Sequence, residues 1–451
     1  MKKFKTIWWA IKLFFTRIQY GNPSKKLKII GVTGTNGKTT TVTLLHKIAT
    51  KMSYKSGLIG TVEILIGEEK FQADSNKPIP ATTPDSVLLT KIFAKMVEKG
   101  CKYVFMEVSS HALDQNRVAG VNFTGGIFTN LTHDHLDYHK DLENYFKAKK
   151  KFFEMLPENA FALSNIDDEY GNAMLDDIKA EKFFYGFPEV PEAQLRGISP
   201  KLGFGEDFYG KILKSDFSGL ELNFNGPARF RLSEAMAGGE KIHSKLLGKF
   251  NAYNLLAVWS TCKLLGFNMP ARNASHSEAG GKEVNKILEN IEPPRGRFEH
   301  FVSKNGISII VDYAHSPDAL EKVLLAIKEI KSENSRIISV FGCGGDRDTS
   351  KRPKMGKIGA SLSDIAIFTS DNPRSENPDK IIEAMKDNLS HEEARKVITI
   401  SDRRLAIEQS VELAKEGDII LCAGKGHEDY QEMNGTKKHF DDVEEFRKAL
   451  S

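Results

Sequence analysis

The 451-residue sequence lacks the features that mark secreted, membrane-spanning or nucleic-acid-binding proteins. Its four cysteines, Cys101, Cys262, Cys343 and Cys422, lie far apart without metal-ligand spacing, which predicts reduced thiols in a cytoplasmic protein. A formal net charge of +4 is too small to indicate a nucleic-acid partner. There is no internal repeat and no low-complexity tract. With 40% hydrophobic and 27% charged residues, the chain is typical of soluble globular proteins of two or three domains.

The first twenty residues are basic and aromatic, and Lys12 interrupts their apolar run. The run is too short to span a bilayer and lacks the small-residue cleavage site of a signal peptide. The pattern favours a helix that docks Trp8, Trp9, Phe14 and Phe15 on the next domain. An amphipathic helix on an anionic membrane surface is the alternative.

The stretch KIIGVTGTNGKTTTVTLLHKIATK combines an apolar run, a turn rich in Gly and Thr, and an apolar pattern of helical period. Gly34 and Gly37 allow the backbone to expose N–H groups to an anion. Lys38 supplies a charge for the β/γ-phosphates, and the Thr39 hydroxyl can bind Mg²⁺. Val32 stands where the usual phosphate-loop motif has its first glycine. An ordinary glycine-rich turn is the alternative, but strand and helix lie on the correct sides, so we predict nucleoside triphosphate binding.

A second group of polar residues follows two predicted strands. Glu107 ends the first strand, and the loop FTNLTHDHLDYH after the second brings together His133, Asp134, His135, Asp137 and His139. This density suggests a metal site. Cysteine ligands are absent from it, and carboxylates beside a phosphate loop favour Mg²⁺ over zinc.

Lys149 occupies the one remaining place on an apolar stripe formed by Leu142, Tyr145, Phe152 and Leu156. A lysine on a buried face is costly as a cation, and neutral lysine can react with CO₂ to form a carbamate that ligates a metal. Alternatively, the stem packs while the ammonium reaches solvent. The pattern alone favours this second interpretation.

Strand and helix patterns alternate from Leu27 to about Arg295, which predicts a parallel sheet flanked by helices. The strands predicted most clearly are Tyr103–Val108, Gly126–Leu131 and Phe161–Asn165. Between residues 188 and 241, the alternating runs LELNF and ARFRL predict hairpins at the edge of the domain.

From about Phe298, the apolar runs SIIV, IISVF, DIAIFT and DIILCA alternate with helical segments. Each run leads into a polar loop: DYAHSPD, GCGGDRD, SDNPR and GKGHE. Parallel sheets bind ligands at such loops, beyond the carboxyl ends of their strands. We therefore predict an α/β protein with a central P-loop-type parallel-sheet ATPase domain and a C-terminal Rossmann-like α/β domain.

Ten motifs carry a family resemblance: GVTGTNGKTTT, ATTPD, MEVSSHALDQNRV, FTNLTHDHLDYH, GKFNAYN, RGRFEHF, VDYAHSPDAL, GCGGDRDTSKRP, DNPRSENP and GKGHEDYQ. In this order they resemble the Mur ligases, specifically the UDP-N-acetylmuramoyl-tripeptide synthetases (MurE type), from about Tyr20 to the C-terminus. The resemblance implies a ligase that uses ATP and Mg²⁺ to add an amino acid to a UDP-N-acetylmuramoyl-dipeptide through an acyl phosphate, in peptidoglycan precursor synthesis. Its partners would be these small-molecule substrates.

The resemblance also implies a role for each matching position. For the nucleotide these are Gly34, Thr35, Asn36, Gly37, Lys38, Thr39, Thr40, Asn251, Arg297, Asp312 and His315. For the metal they are Thr39, Glu107, His135 and Lys149 as a carbamate, which reverses the preference for a solvent-facing Lys149. The catalytic set is Lys38, Glu107, His135 and Lys149. The muramoyl substrate would contact Thr82, Thr83, Ser109, Gln115 and Arg117. The incoming amino acid would contact Arg347, Asp371, Asn372, Pro373, Arg374, Gly424 and Glu428.

Arg374 predicts which amino acid is added. An arginine in DNPR can pair bidentately with a carboxylate, which the distal head group of meso-diaminopimelate offers. Lysine would present an ammonium there, which Arg374 repels. We therefore expect meso-diaminopimelate rather than lysine.

The chain departs from the family pattern at its front, where members carry a separate UDP-binding domain. We predict that residues 1–24 are a basic aromatic helix, the remnant of that domain. Residues 25–296 are predicted to form the central ATP-binding domain, and residues 297–451 the C-terminal domain that binds the amino acid. The hinge is predicted at PPRG, just before their boundary.

This departure, and Ala81 where the family pattern commonly has Asn, leave three possibilities for the acceptor: weaker binding, a UDP site supplied by another chain, or a different muramoyl or γ-glutamyl-type acceptor. Two functions of other classes also stay open. One is a ligase for a non-UDP acceptor of γ-glutamyl or folylpolyglutamate type. The other is a non-catalytic ATP-binding module that contacts a membrane surface or partner through residues 1–20.

Overall fold

The structure, a computed structural model, describes residues 15–71, 82–132, 136–188, 207–230, 239–267 and 279–451. These residues form two compact units: the first consists of residues up to 215 and 219–292, and the second of residues 216–218 and 293–451. Among the described residues, no helix is both long and apolar enough to cross a membrane.

The first unit is built on strands β1 Lys28–Thr33, β2 Ser56–Ile59, β3 Ile64–Ile66, β4 Glu69–Lys70, β5 Tyr103–Glu107, β6 Phe123–Phe128, β7 Phe161–Asn165, β8 Glu181–Gly186, β9 Phe208–Asp216, β10 Gly219–Asn225 and β11 Glu240–Ser244. They form one sheet in the order β11-β10-β9-β8-β7-β6-β1-β5-β2-β3-β4. The run from β9 to β2 is parallel, whereas β3 and β4 pair antiparallel at one edge and β10 and β11 at the other.

The helices of this unit are α1 Lys38–Lys51, α2 Ser86–Glu98, α3 Ser110–Asp114, α4 Leu136–His139, α5 Leu142–Glu154, α6 Gly171–Met174, α7 Lys249–Leu264 and α8 Ala279–Glu289. The central strand β1 is buried on both faces because helices cover the sheet on both sides. Its alternate residues enter different cores: Ile30 packs in a cluster with Val42 of α1, and Ile29 in a cluster with Phe152 of α5.

Two details of this unit differ from the sequence-based expectation, and a third agrees with it. Strand β6 begins and ends three residues earlier than predicted; just beyond its end, the Thr129 hydroxyl donates to the Asn36 carbonyl of the glycine-rich loop. Ala228–Phe230 is a turn of 3-10 helix, not part of a hairpin strand. The LELNF run does form a strand, as predicted: it lies in β10, which pairs antiparallel with the edge strand β11.

Of the N-terminal segment, residues 15–19 are helical. Thr16 is buried, and the Arg17 guanidinium donates to the Ala119 carbonyl. Phe15, predicted to dock, is 63% exposed, so the described turn packs through Thr16 and Arg17 instead. Trp8, Trp9 and Phe14 lie outside the described residues.

The second unit contains strands β12 Glu299–Val302, β13 Ser308–Asp312, β14 Ile337–Phe341, β15 Ile365–Phe368, β16 Val397–Thr399, β17 Ile419–Ala423, β18 Tyr430–Met433 and β19 Thr436–His439. Its helices are α9 Pro317–Ile330, α10 Lys351–Leu362, α11 Pro378–Lys386, α12 His391–Arg395, α13 Arg403–Leu413 and α14 Asp442–Ala449. Six strands form a sheet in the order β12-β13-β17-β14-β15-β16, parallel except for β12, and β18 and β19 form a hairpin.

The two sheets place the candidate residues. In the first sheet β1 lies between β5 and β6, so the loop after β1 meets the ends of both neighbours. In the second sheet Asp312 is the last residue of β13, Asp371 follows shortly after β15, and Gly424 follows β17 directly. Both sites therefore occupy the edge at which parallel sheets bind ligands.

Candidate active site

The glycine-rich loop between β1 and α1 curls where its glycines stand. Gly34 has φ 150°, and a Cβ there would lie 1.9 Å from Thr129 Oγ1. Gly37, with φ 84°, begins α1 in the left-handed region. The first N–H groups of a helix have no intrahelical acceptor and carry partial positive charge, which suits a phosphate. This geometry supports the predicted anion loop over an ordinary turn.

Asn130, which sequence reasoning missed, holds this loop from the end of β6. Its carbonyl accepts the Thr35 N–H at 2.8 Å, and its Oδ1 accepts the Asn36 N–H at 2.9 Å. Thr129 beside it donates to the Asn36 carbonyl at 2.6 Å. The signal was available in principle, because a polar pair directly after a parallel strand lies at the ligand edge.

Lys38 folds back over the loop. Its Nζ donates to the carbonyls of Gly34 at 2.9 Å and Thr35 at 2.8 Å. The ammonium is thereby held above the loop that precedes α1. A fixed cation at a helix N-terminus strengthens the attraction for phosphate.

Lys149 lies 1% exposed on α5, against the same loop. Its Nζ donates to the Gly34 carbonyl at 2.8 Å and lies 4.3 Å from the centre of the Tyr145 ring. The interpretation of a solvent-facing ammonium is therefore wrong. The loop after β1 covers the tip of the side chain and offers it a carbonyl, so the lysine remains inside.

Glu107, 1% exposed at the end of β5, accepts three hydrogen bonds. Its Oε1 accepts the Thr39 hydroxyl at 2.9 Å and the Thr61 N–H at 2.7 Å, and its Oε2 accepts the Thr61 hydroxyl at 3.1 Å. Thr61 was not predicted, although it follows β2, the parallel neighbour of β5. The carboxylate is thus oriented from two strand ends.

A carboxylate and a hydroxyl oxygen are ligands that suit Mg²⁺. Thr39 and Glu107 are in contact beside the phosphate loop, so the described part of the site fits this ion. Among the described residues, no group of three or more His, Cys, Asp and Glu side chains is placed to hold a metal. His135 lies outside the described residues.

The residues assigned to the muramoyl substrate form one hydrogen-bonded group. The Thr83 hydroxyl donates to the Glu107 carbonyl at 2.8 Å and lies 3.3 Å from Ser109 Oγ. Arg117 donates to the Thr83 carbonyl at 2.9 Å and to Gln115 Oε1 at 2.6 Å and 3.0 Å. Thr82 Oγ1 lies 3.1 Å from Thr61 Oγ1, which joins this group to the Glu107 carboxylate.

Asn251, on α7, is buried and accepts from Asn254 Nδ2 at 3.0 Å. Asn254 in turn lies against the loop, because a Cβ at Gly37 would come within 2.5 Å of its Oδ1. Asn251 therefore supports the phosphate loop through Asn254.

Three candidate nucleotide residues of the second unit lie together. The Arg297 guanidinium lies 4.8 Å from the centre of the Tyr313 ring, and His315 Nδ1–H donates to the Tyr313 carbonyl at 2.9 Å. Asp312 accepts the N–H groups of Phe298 at 2.7 Å and Ala314 at 2.8 Å. Burial raises the pKa of Asp312, against the opposing effects of Arg297 and the two N–H groups.

The candidate amino-acid pocket gathers at the ends of β15 and β17. Asn372 Nδ2 donates to Glu428 Oε2 at 2.8 Å, and the Lys425 ammonium lies 3.3 Å from the same oxygen. Burial raises the pKa of Glu428; Lys425 opposes this shift and Asp371 adds to it. Gly424, with φ 113°, leaves room for Asp371, whose Oδ2 would lie 2.6 Å from a Cβ there. Lys425 was missed, since nothing local marks it.

Arg374 is held by its backbone as well as its side chain. Its N–H donates to the Glu432 carbonyl at 3.0 Å, and its Nη1 donates to the Gly345 carbonyl at 2.7 Å. Its Nε lies 3.9 Å from Glu432 Oε2, too long for a hydrogen bond. Arg347 is exposed, and both arginines lie beside Gly344. Pro373 accepts the Glu376 N–H at 3.0 Å, in the turn that carries Arg374.

Two family models match the chain. The Mur ligase middle domain matches residues 32–262, more than half of the sequence, and the Mur ligase glutamate ligase domain matches residues 296–426. The chain belongs to the Mur ligase family. The phosphate loop, Glu107 and Lys149 lie within the first matched region, and the amino-acid pocket begins within the second.

Curated relatives from two bacteria are similar to nearly the whole chain. The protein from Parabacteroides distasonis is 47% identical over 96% of this chain and 79% of its own length. The protein from Bacteroides fragilis is 45% identical over 96% of this chain and 80% of its own length. Both are named UDP-N-acetylmuramoyl-L-alanyl-D-glutamate--2,6-diaminopimelate ligase.

Solved structures agree on the fold. A ligase of the same name is 30% identical with a TM-score of 0.63, over 98% of this chain and 82% of that one. Folylpolyglutamate synthase from Mycobacterium tuberculosis has a TM-score of 0.65 over 92% of both chains, but at 16% identity this shows a shared fold alone.

Proposed function

We propose that this chain is an ATP-dependent ligase that joins 2,6-diaminopimelate, in its meso form, to the free carboxylate of UDP-N-acetylmuramoyl-L-alanyl-D-glutamate during peptidoglycan precursor synthesis. The names of relatives that are 44–47% identical over most of the chain support these substrates.

One structural relationship carries the proposal: Glu107 links Thr39 of the phosphate loop to Thr61, and Thr61 contacts Thr82. This continuous path of hydrogen bonds joins the candidate nucleotide site to the candidate acceptor site within the first unit. A bound acceptor would thus present its carboxylate close to the γ-phosphoryl group.

The chemistry follows from the poor electrophilicity of a carboxylate. Attack of the carboxylate oxygen on the γ-phosphorus releases ADP and gives an acyl phosphate, and the amine then attacks the acyl carbon and displaces phosphate. In such reactions the protein contributes mainly positioning and charge neutralisation.

The residues of the chain divide these tasks. Lys38 and the N-terminus of α1 would hold the triphosphate, and Arg117 would hold an anionic group of the acceptor. Thr39 and Glu107, with Lys149 as a carbamate, would hold Mg²⁺. The bound ion would neutralise phosphate charge.

A coupled assay of ADP release tests the activity. We expect turnover only when ATP, the UDP-linked dipeptide and 2,6-diaminopimelate are all present. Turnover with a γ-glutamyl or folate acceptor instead would contradict the proposed acceptor. Tight ATP binding without turnover on the UDP-linked dipeptide or on a γ-glutamyl or folate acceptor would contradict an enzymatic function.

Arg374 tests the choice of amino acid. Arg374→Ala should reduce the preference for 2,6-diaminopimelate over lysine in kcat/KM by about 10- to 100-fold, because charge-assisted hydrogen bonds to a carboxylate are lost. Arg395→Ala, at an exposed position of the same unit, serves as the matched control and should leave the preference unchanged. Unchanged preference in Arg374→Ala would refute the assignment.

A further inference from the structure

Lys425 has a side chain that is completely buried at the carboxyl end of β17. It stands between Gly424 and Glu428, two residues assigned to the amino-acid pocket, yet the proposed chemistry does not use it. A buried ammonium is costly unless it is paired and hydrogen-bonded. Its partners therefore indicate what it does.

Those partners are the pocket residues themselves. Lys425 Nζ lies 3.3 Å from Asn372 Oδ1 and 3.3 Å from Glu428 Oε2, and it also donates to the Tyr430 carbonyl. Asn372 Nδ2 donates to the same Glu428 oxygen at 2.8 Å. Ammonium, amide and carboxylate thus close a triangle.

This triangle determines the orientation of Asn372. Its Oδ1 accepts from Lys425 and from the Glu432 N–H at 2.9 Å, which directs the Nδ2 donors towards Glu428. The Glu432 carbonyl also accepts the Arg374 N–H at 3.0 Å. The two halves of the pocket are therefore joined through one residue of β18.

Two carboxylates of the pocket, those of Asp371 and Glu428, lie near the single ammonium of Lys425. Asp371 and Glu428 are two carboxylates that repel each other, and Lys425 lies against Glu428. Arg403, a cation that interacts with Asp371, is paired with Asp442 at 2.8 Å. Lys425, Asp371 and Glu428 together carry a formal charge of −1, which suits a substrate ammonium.

We propose that Lys425 is a positioning residue of the amino-acid pocket, whose ammonium holds Asn372 and Glu428 so that the Glu428 carboxylate accepts the distal ammonium of the substrate while Arg374 pairs with its distal carboxylate. The proposal rests on the proposed function, because it concerns how that pocket recognises a zwitterionic amino-acid head group.

The test compares Lys425→Met with Lys437→Met. Lys437 is exposed on β19, with its Nζ 3.8 Å from the centre of the Tyr430 ring, so the control removes a lysine from the same neighbourhood but not from the triangle. Lys425→Met should raise KM for 2,6-diaminopimelate by about tenfold or more, the scale of a lost supporting hydrogen-bond partner. KM for ATP should stay within about twofold, and Lys437→Met should change neither constant.

A double variant separates this role from a general loss of stability. In Glu428→Gln the carboxylate is gone, so adding Lys425→Met should raise KM for 2,6-diaminopimelate much less than it does in the wild type. Additive effects of the two substitutions would overturn the proposal. So would a parallel rise of both KM values with a lowered melting temperature.

The pH profile gives an independent readout. Lys425 from its own loop, Asp371 from the end of β15 and Tyr313 from the end of β13 are the titratable groups that face Glu428. Without Lys425 the carboxylate protonates more readily, so the acidic limb of kcat/KM for the amino acid should move up by about one pH unit. When Lys425→Met is added to Glu428→Gln, it should not shift the acidic limb of the kcat/KM profile.

The two proposals fail differently. A wild-type protein that releases no ADP with 2,6-diaminopimelate overturns the proposed function and this inference together. An active wild type whose Lys425→Met variant keeps its KM for the amino acid overturns this inference alone.

Discussion

Lys38 and Lys149 donate hydrogen bonds to one acceptor, the Gly34 carbonyl oxygen, at 2.9 Å and 2.8 Å. The first lysine begins α1 and the second lies on α5, so two helices bring ammonium groups to the same loop. Such cations repel each other unless an anion binds beside them or one of them loses its charge. This arrangement supports the proposals that the loop binds a triphosphate and that Lys149 forms a carbamate.

The Lys149→Arg variant tests whether Lys149 forms a carbamate. Arginine keeps the charge but cannot form the carbamate, so we expect kcat to fall by about 100-fold or more. Lys147→Arg on the same helix is the matched control; its side chain is exposed and pairs with Glu143, and activity should not change. Carbon-13 NMR after equilibration with labelled bicarbonate should show a carbamate in the wild type and none in Lys149→Arg. A wild type without that signal would contradict the assignment.

We expect Thr61 to increase the affinity for Mg²⁺, because its hydroxyl orients the Glu107 carboxylate. Thr61→Val removes the hydroxyl that donates to Oε2, whereas the N–H bond to Oε1 remains. We expect the Mg²⁺ concentration for half-maximal activity to rise by about tenfold, because the carboxylate is less firmly oriented. Thr61→Ser keeps the hydroxyl and should restore most of the wild-type response. Equal effects of Val and Ser would contradict a role for the hydrogen bond, because only Ser keeps the hydroxyl.

Alanine substitutions at Gly424 and Gly435 distinguish the cost of backbone strain from obstruction of the amino-acid pocket. Both have positive φ, so alanine at either costs about 1–2 kcal/mol of stability. A Cβ at Gly435 meets no atom within 4 Å, whereas one at Gly424 would lie 2.6 Å from Asp371 Oδ2. Gly424→Ala should therefore also raise KM for the amino acid, and Gly435→Ala should not. Urea unfolding and amino-acid titrations measure the two effects, and equal KM values in both variants would count against the pocket.

His46 should make stability depend on pH. It is buried against Ser56, with Nδ1 2.8 Å from the hydroxyl, and burial followed by the charge of Lys47 lowers its pKa to about 4. The unfolded chain binds this proton near pH 6.5, so stability is complete above that pH and is lost as pH falls towards 4, by about 3 kcal/mol at most. His46→Gln should flatten the curve in this window, measured by urea unfolding at a series of pH values. His427, whose pKa is also lowered to about 4, would keep its own slope in the second unit.

Individual residues show which features of the site could be predicted from the sequence and which could not. The spacing of apolar residues placed Lys149 on the buried face of its helix, but could not say whether its tip reached solvent. That depended on the Gly34 carbonyl, 115 residues away in the chain. The sequence did not predict roles for Thr61, Asn130 and Lys425 for a related reason. Each of them bonds to a residue at or beyond the end of a different strand of its sheet. Phe15 was assigned to a docking face on aromaticity alone, and it is exposed.

The amino-acid sequence by itself determined the α/β class, the phosphate loop and the family, because periodicity and short motifs are local properties of the chain. Only the tertiary structure decided which polar groups meet. Parallel strands far apart in sequence become neighbours in a sheet, as β1 and β5 do, and so Thr39 touches Glu107 across 68 residues. Burial then removes the competing water, and hydrogen bonds between such residues become specific enough to shape the two candidate sites.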